Sequence, residues 1–123
     1  MRREELESRT QDFGVAVYRL CRALRDLPGG RGPAGQLVDC ATAIGANYRA
    51  TSRSRSRAEF VAKMAVVVEE ADEAVFWLEF FHRVGVPDSV SIERLLGEAR
   101  ELRAIFAAGW RTARRSGGRT PRR

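Results

Sequence analysis

The sequence predicts an all-α protein, an up-down-up-down antiparallel four-helix bundle over residues 1–110, with a basic tail over 111–123 that is expected to be disordered in isolation. Three observations carry this. Four stretches space their apolar residues by alternating fours and threes, no stretch alternates as a half-buried strand would, and the breaks between stretches are short. At 123 residues the chain suits one domain that buries roughly two-thirds of its unfolded surface, enough for a core without staples.

The first helix carries Phe13, Val17, Leu20, Leu24 and Leu27 on one face, and Pro28-Gly29-Gly30 ends it. The second opens near Pro33, where a missing N–H costs nothing in a first turn, and its stripe is Leu37, Ala41, Ile44 and Tyr48. The third has the clearest start. Ser56-Arg57-Ala58-Glu59 is a capping-box pattern, in which hydroxyl and carboxylate each satisfy an orphan backbone N–H. It runs to about Val84, before Gly85 and Pro87, a length of about 42 Å at the α-helical rise. Its seam is Phe60, Met64, Val67, Ala71, Ala74, Leu78 and Phe81, the spacing of nearly parallel packed helices. The fourth starts near Ser89 and carries Ile92, Leu95, Ala99, Leu102, Phe106 and Gly109.

The third helix is more apolar than one seam requires. Val61, Val68 and Val75 flank it, and Val66, Phe76, Trp77 and Phe80 point in further directions. A helix apolar around its circumference is buried on more than one side, so these last four residues are the expected subunit interface of a homo-oligomer. Fuller wrapping by the first and fourth helices is the alternative.

Charge is polarised. The formal net charge is +6, and Lys63 is the only lysine among 22 basic residues. Residues 111–123 hold six arginines and no acid, so the 16 acids are matched by 16 basic groups in the rest of the chain. Within the bundle, RATSRSRSR at 49–57 adds four arginines without an acid. With turns centred near residues 30, 54 and 87, antiparallel connectivity brings Arg2, Arg3, Arg9, residues 49–57 and Arg111 to Arg115 to one end. The same register puts Glu69, Glu70, Asp72 and Glu73 at the levels of Arg22, Arg25, Arg100 and Arg103, their expected partners.

Catalysis is not expected. Neither Cys21 nor Cys40 pairs with a histidine by sequence logic, and Gly29-Gly30-Arg31-Gly32 lacks the lysine and hydroxyl of a P-loop. Glu69 and Glu73 share a helical face, but an ion-paired surface stripe is the ordinary reading of such a pair. Glu79-x-x-His82 is half of a di-iron carboxylate signature, yet His82 is the only histidine and a full site needs two. A histidine near a helix C-terminus stabilises that end, and no metal or other cofactor is expected. Two cysteines in apolar stretches suit reduced, buried thiols and a cytoplasmic location. The longest uncharged run is nine residues, Cys40 to Tyr48, against the roughly 20 needed to span a bilayer; no membrane helix or signal peptide is expected.

From Ala43 to Val84 the chain reads AIGANYRATSRSRSRAEFVAKMAVVVEEADEAVFWLEFFHRV. The small residues ending in Ile44-Gly45-Ala46-Asn47, the Arg/Ser turn, Glu59-Phe60, the run Glu69-Glu70-Ala71-Asp72-Glu73 and then Trp77-Leu78-Glu79 together resemble a bacterial four-helix-bundle family. That family includes proteins encoded within intervening sequences of 23S ribosomal RNA. The resemblance covers about a third of the chain directly, with helix order and lengths agreeing over residues 10–110. It implies an up-and-down bundle assembled as a ring-like homopentamer. A relative in diversity-generating retroelements is similar in architecture and uses a basic surface to engage nucleic acid and a reverse transcriptase.

The expected function is therefore non-enzymatic. Arg49, Arg53, Arg55 and Arg57, with Arg53, Arg55 and Arg57 alternating along an extended turn, join Arg111, Arg114, Arg115, Arg119, Arg122 and Arg123 as candidate contacts to RNA or DNA phosphates. Guanidinium groups bind phosphates bidentately, and counterion release makes such binding salt-dependent and sequence-blind. The alternative is a protein-interaction scaffold without nucleic-acid binding, whose partner is another protein, encoded nearby, with the tail docked on an acidic surface.

Overall fold

Helix ends in this chain are set by identifiable hydrogen bonds. The computed structural model describes residues 1–117, which form α1 (Arg3–Leu24), α2 (Arg31–Ala50), a 3-10 turn (Thr51–Arg53), α3 (Arg57–Val84) and α4 (Ser89–Gly117). Among the described residues there is no strand, and no helix is long and apolar enough to cross a membrane. The Arg2 N–H donates to the Glu5 carboxylate at 3.1 Å where α1 opens. At α3 the Ser56 hydroxyl accepts from the Glu59 N–H at 3.0 Å, while the Glu59 carboxylate accepts from the Arg55 N–H at 2.7 Å. The expected capping box is thus present with its return bond one residue earlier. Gly85 stops α3 with φ +83, a left-handed conformation that glycine adopts without a Cβ clash.

The stripes face one another as the antiparallel order requires. Val17, Leu37, Ile44, Val67, Leu78, Ile92 and Leu102 are fully buried, one or more from every helix. Burying a side chain of this size stabilises by about 1.5–3 kcal/mol. Each helix packs on the next in sequence, and α4 returns to α1 across the loosest seam of the bundle. Arg9 crosses that seam, donating to Glu98 at 2.7 and 2.9 Å and also to Glu101. These carboxylates hold the guanidinium above its usual pKa. Helices α1 and α2 approach closely where Gly45 meets Thr10; a Cβ there would stand 3.1 Å from the Thr10 hydroxyl oxygen.

Three expectations are amended. Leu27 lies past the end of α1, in the turn, where it still packs against the core. On α4 Leu96 is buried where Leu95 was expected, with Leu95 only partly buried and Gly109 exposed, because the buried stripe of a globular helix is wider than a single seam. The boundary at residue 111 does not mark the end of helix: α4 continues through Gly117, and Ala113 is buried. Arg111, Arg114 and Arg115 therefore stand on a packed helix. Arg119, Arg122 and Arg123 lie outside the described residues.

Candidate nucleic-acid interface

One end of the bundle is tied together by Arg3. Its guanidinium donates to the Thr51 hydroxyl at 2.7 Å and the Tyr48 carbonyl at 3.4 Å, and lies 4.5 Å from the centre of the Tyr48 ring. Tyr48 in turn packs on Phe106 of α4, ring centres 5.0 Å apart. Burial is the larger influence on the Tyr48 phenol and pushes its pKa up, against the opposing charge of Arg3. The Lys63 ammonium reaches the Ala50 carbonyl at 3.4 Å, and Gly109 lies against Met64. These contacts put the end of α2, the start of α3 and the last turns of α4 at one level.

Arg49, Arg53, Arg55, Arg57, Arg111, Arg114 and Arg115 are exposed at this pole. Among the described residues only Arg55 of that set has an ion-pair partner, Glu59 at 3.5 Å, and its side chain remains 89% exposed. Arg114 stacks over Trp110 with 4.5 Å to the ring centre. Glu59 itself is held below the usual carboxylate range, first by the Arg55 N–H and then by Lys63. Arg53, Arg55 and Arg57 do not alternate along one extended turn as expected. Thr51 donates its hydroxyl to the Tyr48 carbonyl at 2.6 Å and accepts the Ser54 N–H on its own carbonyl at 3.2 Å, which winds residues 51–53 into a 3-10 turn. Only a short extended stretch around Ser54 and Ser56 separates that turn from α3.

The acidic run of α3 divides. Asp72 pairs with Arg103 at 2.6 Å and Glu79 with Arg100 at 3.0 Å, both across to α4. Glu69, Glu70 and Glu73 have no ion pair among the described residues. Arg22 and Arg25 form no ion pair with them, since α1 and α3 are not adjacent helices of the bundle. His82 stands in the last turn of α3, as expected, and also lies 3.2 Å from Glu93 across the α3–α4 turn. Among the described residues no three His, Cys, Asp or Glu side chains stand together as metal ligands. Cys21 and Cys40 are buried, unbridged thiols, both pushed up to about 12 chiefly by burial.

The expected interface residues form an aromatic ridge. Phe76 is 55%, Phe80 38% and Val66 37% exposed. Trp77 is partly buried against the core and packs edge-on to Phe76 at 4.9 Å and Phe80 at 5.4 Å, so it supports the ridge more than it presents surface. Val84, exposed, extends the ridge by another four-residue step, which the spacing of Phe76 and Phe80 could have indicated. Val15 and Tyr18 of α1 are also exposed, outside the Phe13–Val17 seam, and they border an open furrow of about 670 Å³ between α1 and α2.

Fold and surface together define a class: an up-down helical bundle with one arginine-rich pole and unpartnered apolar side faces. A crystal structure of a protein of unknown function from the S23 ribosomal protein family of Bacteroides thetaiotaomicron has this architecture, with TM-score 0.81 over 90% of this chain and 99% of that one. The two sequences are 23% identical, so the likeness is one of fold, and it agrees with the resemblance carried by residues 43–84. No family model and no curated protein matches the chain.

Proposed function

We propose that this protein is a non-enzymatic, homo-oligomeric helical module whose basic pole binds RNA or DNA backbone without sequence choice. The observation that carries the reading is the convergence of Arg49, Arg53, Arg57, Arg111 and Arg115 at one end with no ion-pair partner among the described residues. Elsewhere the same chain neutralises Arg9, Arg100 and Arg103 with carboxylates. Each neutralised phosphate releases counterions, and that release is the driving force of such binding. A five-membered ring, five copies of +6, would carry about 30 net positive charges, mainly around one rim. Repeated weak contacts would then act together.

A gel-shift salt titration with a labelled RNA and the matching DNA tests it. Binding at about 50 mM salt that weakens steeply by about 200 mM is expected. Replacing Arg53, Arg55 and Arg57 together with Arg111, Arg114 and Arg115 by glutamine should weaken binding at least tenfold. These substitutions are preferable to deleting residues 111–123, because deletion would also remove the buried Ala113. Absence of binding at low salt sinks the proposal. The exposed Phe76 and Phe80 favour a second reading, a scaffold for another protein, which predicts a specific co-purifying protein that survives nuclease treatment.

A further inference from the structure

Two guanidinium groups lie over aromatic rings at the basic pole, and they differ in what else holds them. Arg3, over Tyr48, is used up inside the fold: it also donates to the Thr51 hydroxyl and the Tyr48 carbonyl and pairs with Glu7 at 3.1 Å. Arg114, over Trp110, is exposed and has no ion pair among the described residues, while the indole itself is partly buried against the core. Bundle register sets the surroundings of this second pair. Helices α2 and α4 run in the same direction and Tyr48 packs on Phe106, so the Thr51–Arg53 turn stands level with about residues 109–111. Helix α1 runs the other way. Arg9 meets Glu98 and Glu101, so Arg3, where α1 begins, is level with about residues 104–107. Phe106, Trp110 and Ala113 follow the 4-3 spacing, and Trp110 thus prolongs the core stripe of α4 to a level that α1 does not reach, beside the arginine turn.

We propose that this pair takes an unpaired base, which stacks on the outer face of the Arg114 guanidinium held in place by the Trp110 ring, while Arg53, Arg57 and Arg111 hold the adjoining phosphates. The ligand is then single-stranded RNA or DNA, not a duplex. This rests on nucleic-acid binding by the basic pole and names the substrate class of that same site. A guanidinium is planar, delocalised and weakly hydrated, and it stacks on flat π systems as the compact ammonium of lysine does not. Holding it over an indole beforehand reduces the ordering cost of binding. Every base has a π face, so the stack adds affinity without sequence choice. A duplex hides its base faces in its own stack and offers phosphates alone. A surface that reads only phosphates favours the duplex, which has the higher charge density, so the stack reverses the preference that charge by itself would give.

Titrations of the full chain at about 50 mM salt against oligo-U, oligo-dT, an abasic oligodeoxynucleotide of equal length and a blunt duplex test it. Oligo-U and oligo-dT should bind alike, and each at least about fivefold more tightly than the abasic strand, which keeps the phosphates and lacks the bases. The duplex should bind more weakly than either. Arg114→Lys keeps the charge and loses the plane; it should abolish the fivefold advantage and leave affinity for the abasic strand unchanged. Its side chain is exposed, so the fold should survive the change. Trp110→Leu should also lose the advantage and Trp110→Phe retain most of it, whereas a merely structural role would move base-bearing and abasic strands together. Absence of binding to every probe overturns nucleic-acid binding by the pole and this inference with it. Equal affinity for base-bearing and abasic strands, or an Arg114→Lys chain that keeps the full advantage, overturns the stack alone.

Discussion

At the scale of single residues, close approach and burial decide what the chain tolerates. Gly45→Val should destabilise by about 1–3 kcal/mol, since its Cβ would already press on Thr10 at 3.1 Å and valine adds two methyls beyond it. Gly97→Ala is the counterpart: nothing lies within 4 Å of a Cβ there, and removing a helix-interior glycine should stabilise by up to about 1 kcal/mol. Chemical denaturation of both variants checks the pair, and equal effects would contradict this account of the α1–α2 contact. Cys21 and Cys40 should resist a thiol reagent at pH 8 in the folded protein and both react once denaturant is added, because burial holds each near 12. The pattern of small residues at 43–46 was legible as sequence; that Gly45 serves close packing on Thr10 was not, since it depends on where α1 lies.

Helix ends dominate at the scale of elements. Ser56→Ala should lower stability by about 1 kcal/mol through loss of the hydroxyl that accepts the Glu59 N–H. Glu59 adds a pH dependence of definite sign. Its folded carboxyl lies below the usual range, so its contribution is present above the unfolded pKa and lost as pH falls through the folded one. Denaturant midpoints measured from pH 7 down to pH 3 should fall more steeply in the unaltered protein than in Glu59→Gln; parallel profiles would rule the capping carboxylate out as the source. The start of α3 at Ser56 and its end before Gly85 could both be read from local chemistry, because caps involve neighbours within a turn. The end of α4 could not. Nothing local to RTARRSG marks it as packed helix, yet Ala113 within it is buried.

At the scale of the whole molecule the two poles provide an internal control. Arg83 and Arg94 are exposed near the α3–α4 turn, at the pole opposite the proposed nucleic-acid surface. Replacing both by glutamine removes two positive charges and should leave RNA affinity within about twofold, whereas removing two at Arg53 and Arg57 should lower it about tenfold at 100 mM salt. Equal losses in a gel-shift titration would mean that net charge alone, not its placement, governs binding. The sequence by itself determined the helix count, the antiparallel order and the pole at which arginine accumulates. Periodicity and turn chemistry are local, and connectivity then leaves little freedom of level along the bundle. Which charges remain without partners was decided only by tertiary structure. Arg100 and Arg103 find carboxylates because α4 lies beside α3, while Arg22, on α1, and Arg25, just past its end, belong to a helix whose backbone does not neighbour α3. Pairing depends on lateral adjacency between helices, a quantity that no pattern along one strand of sequence encodes.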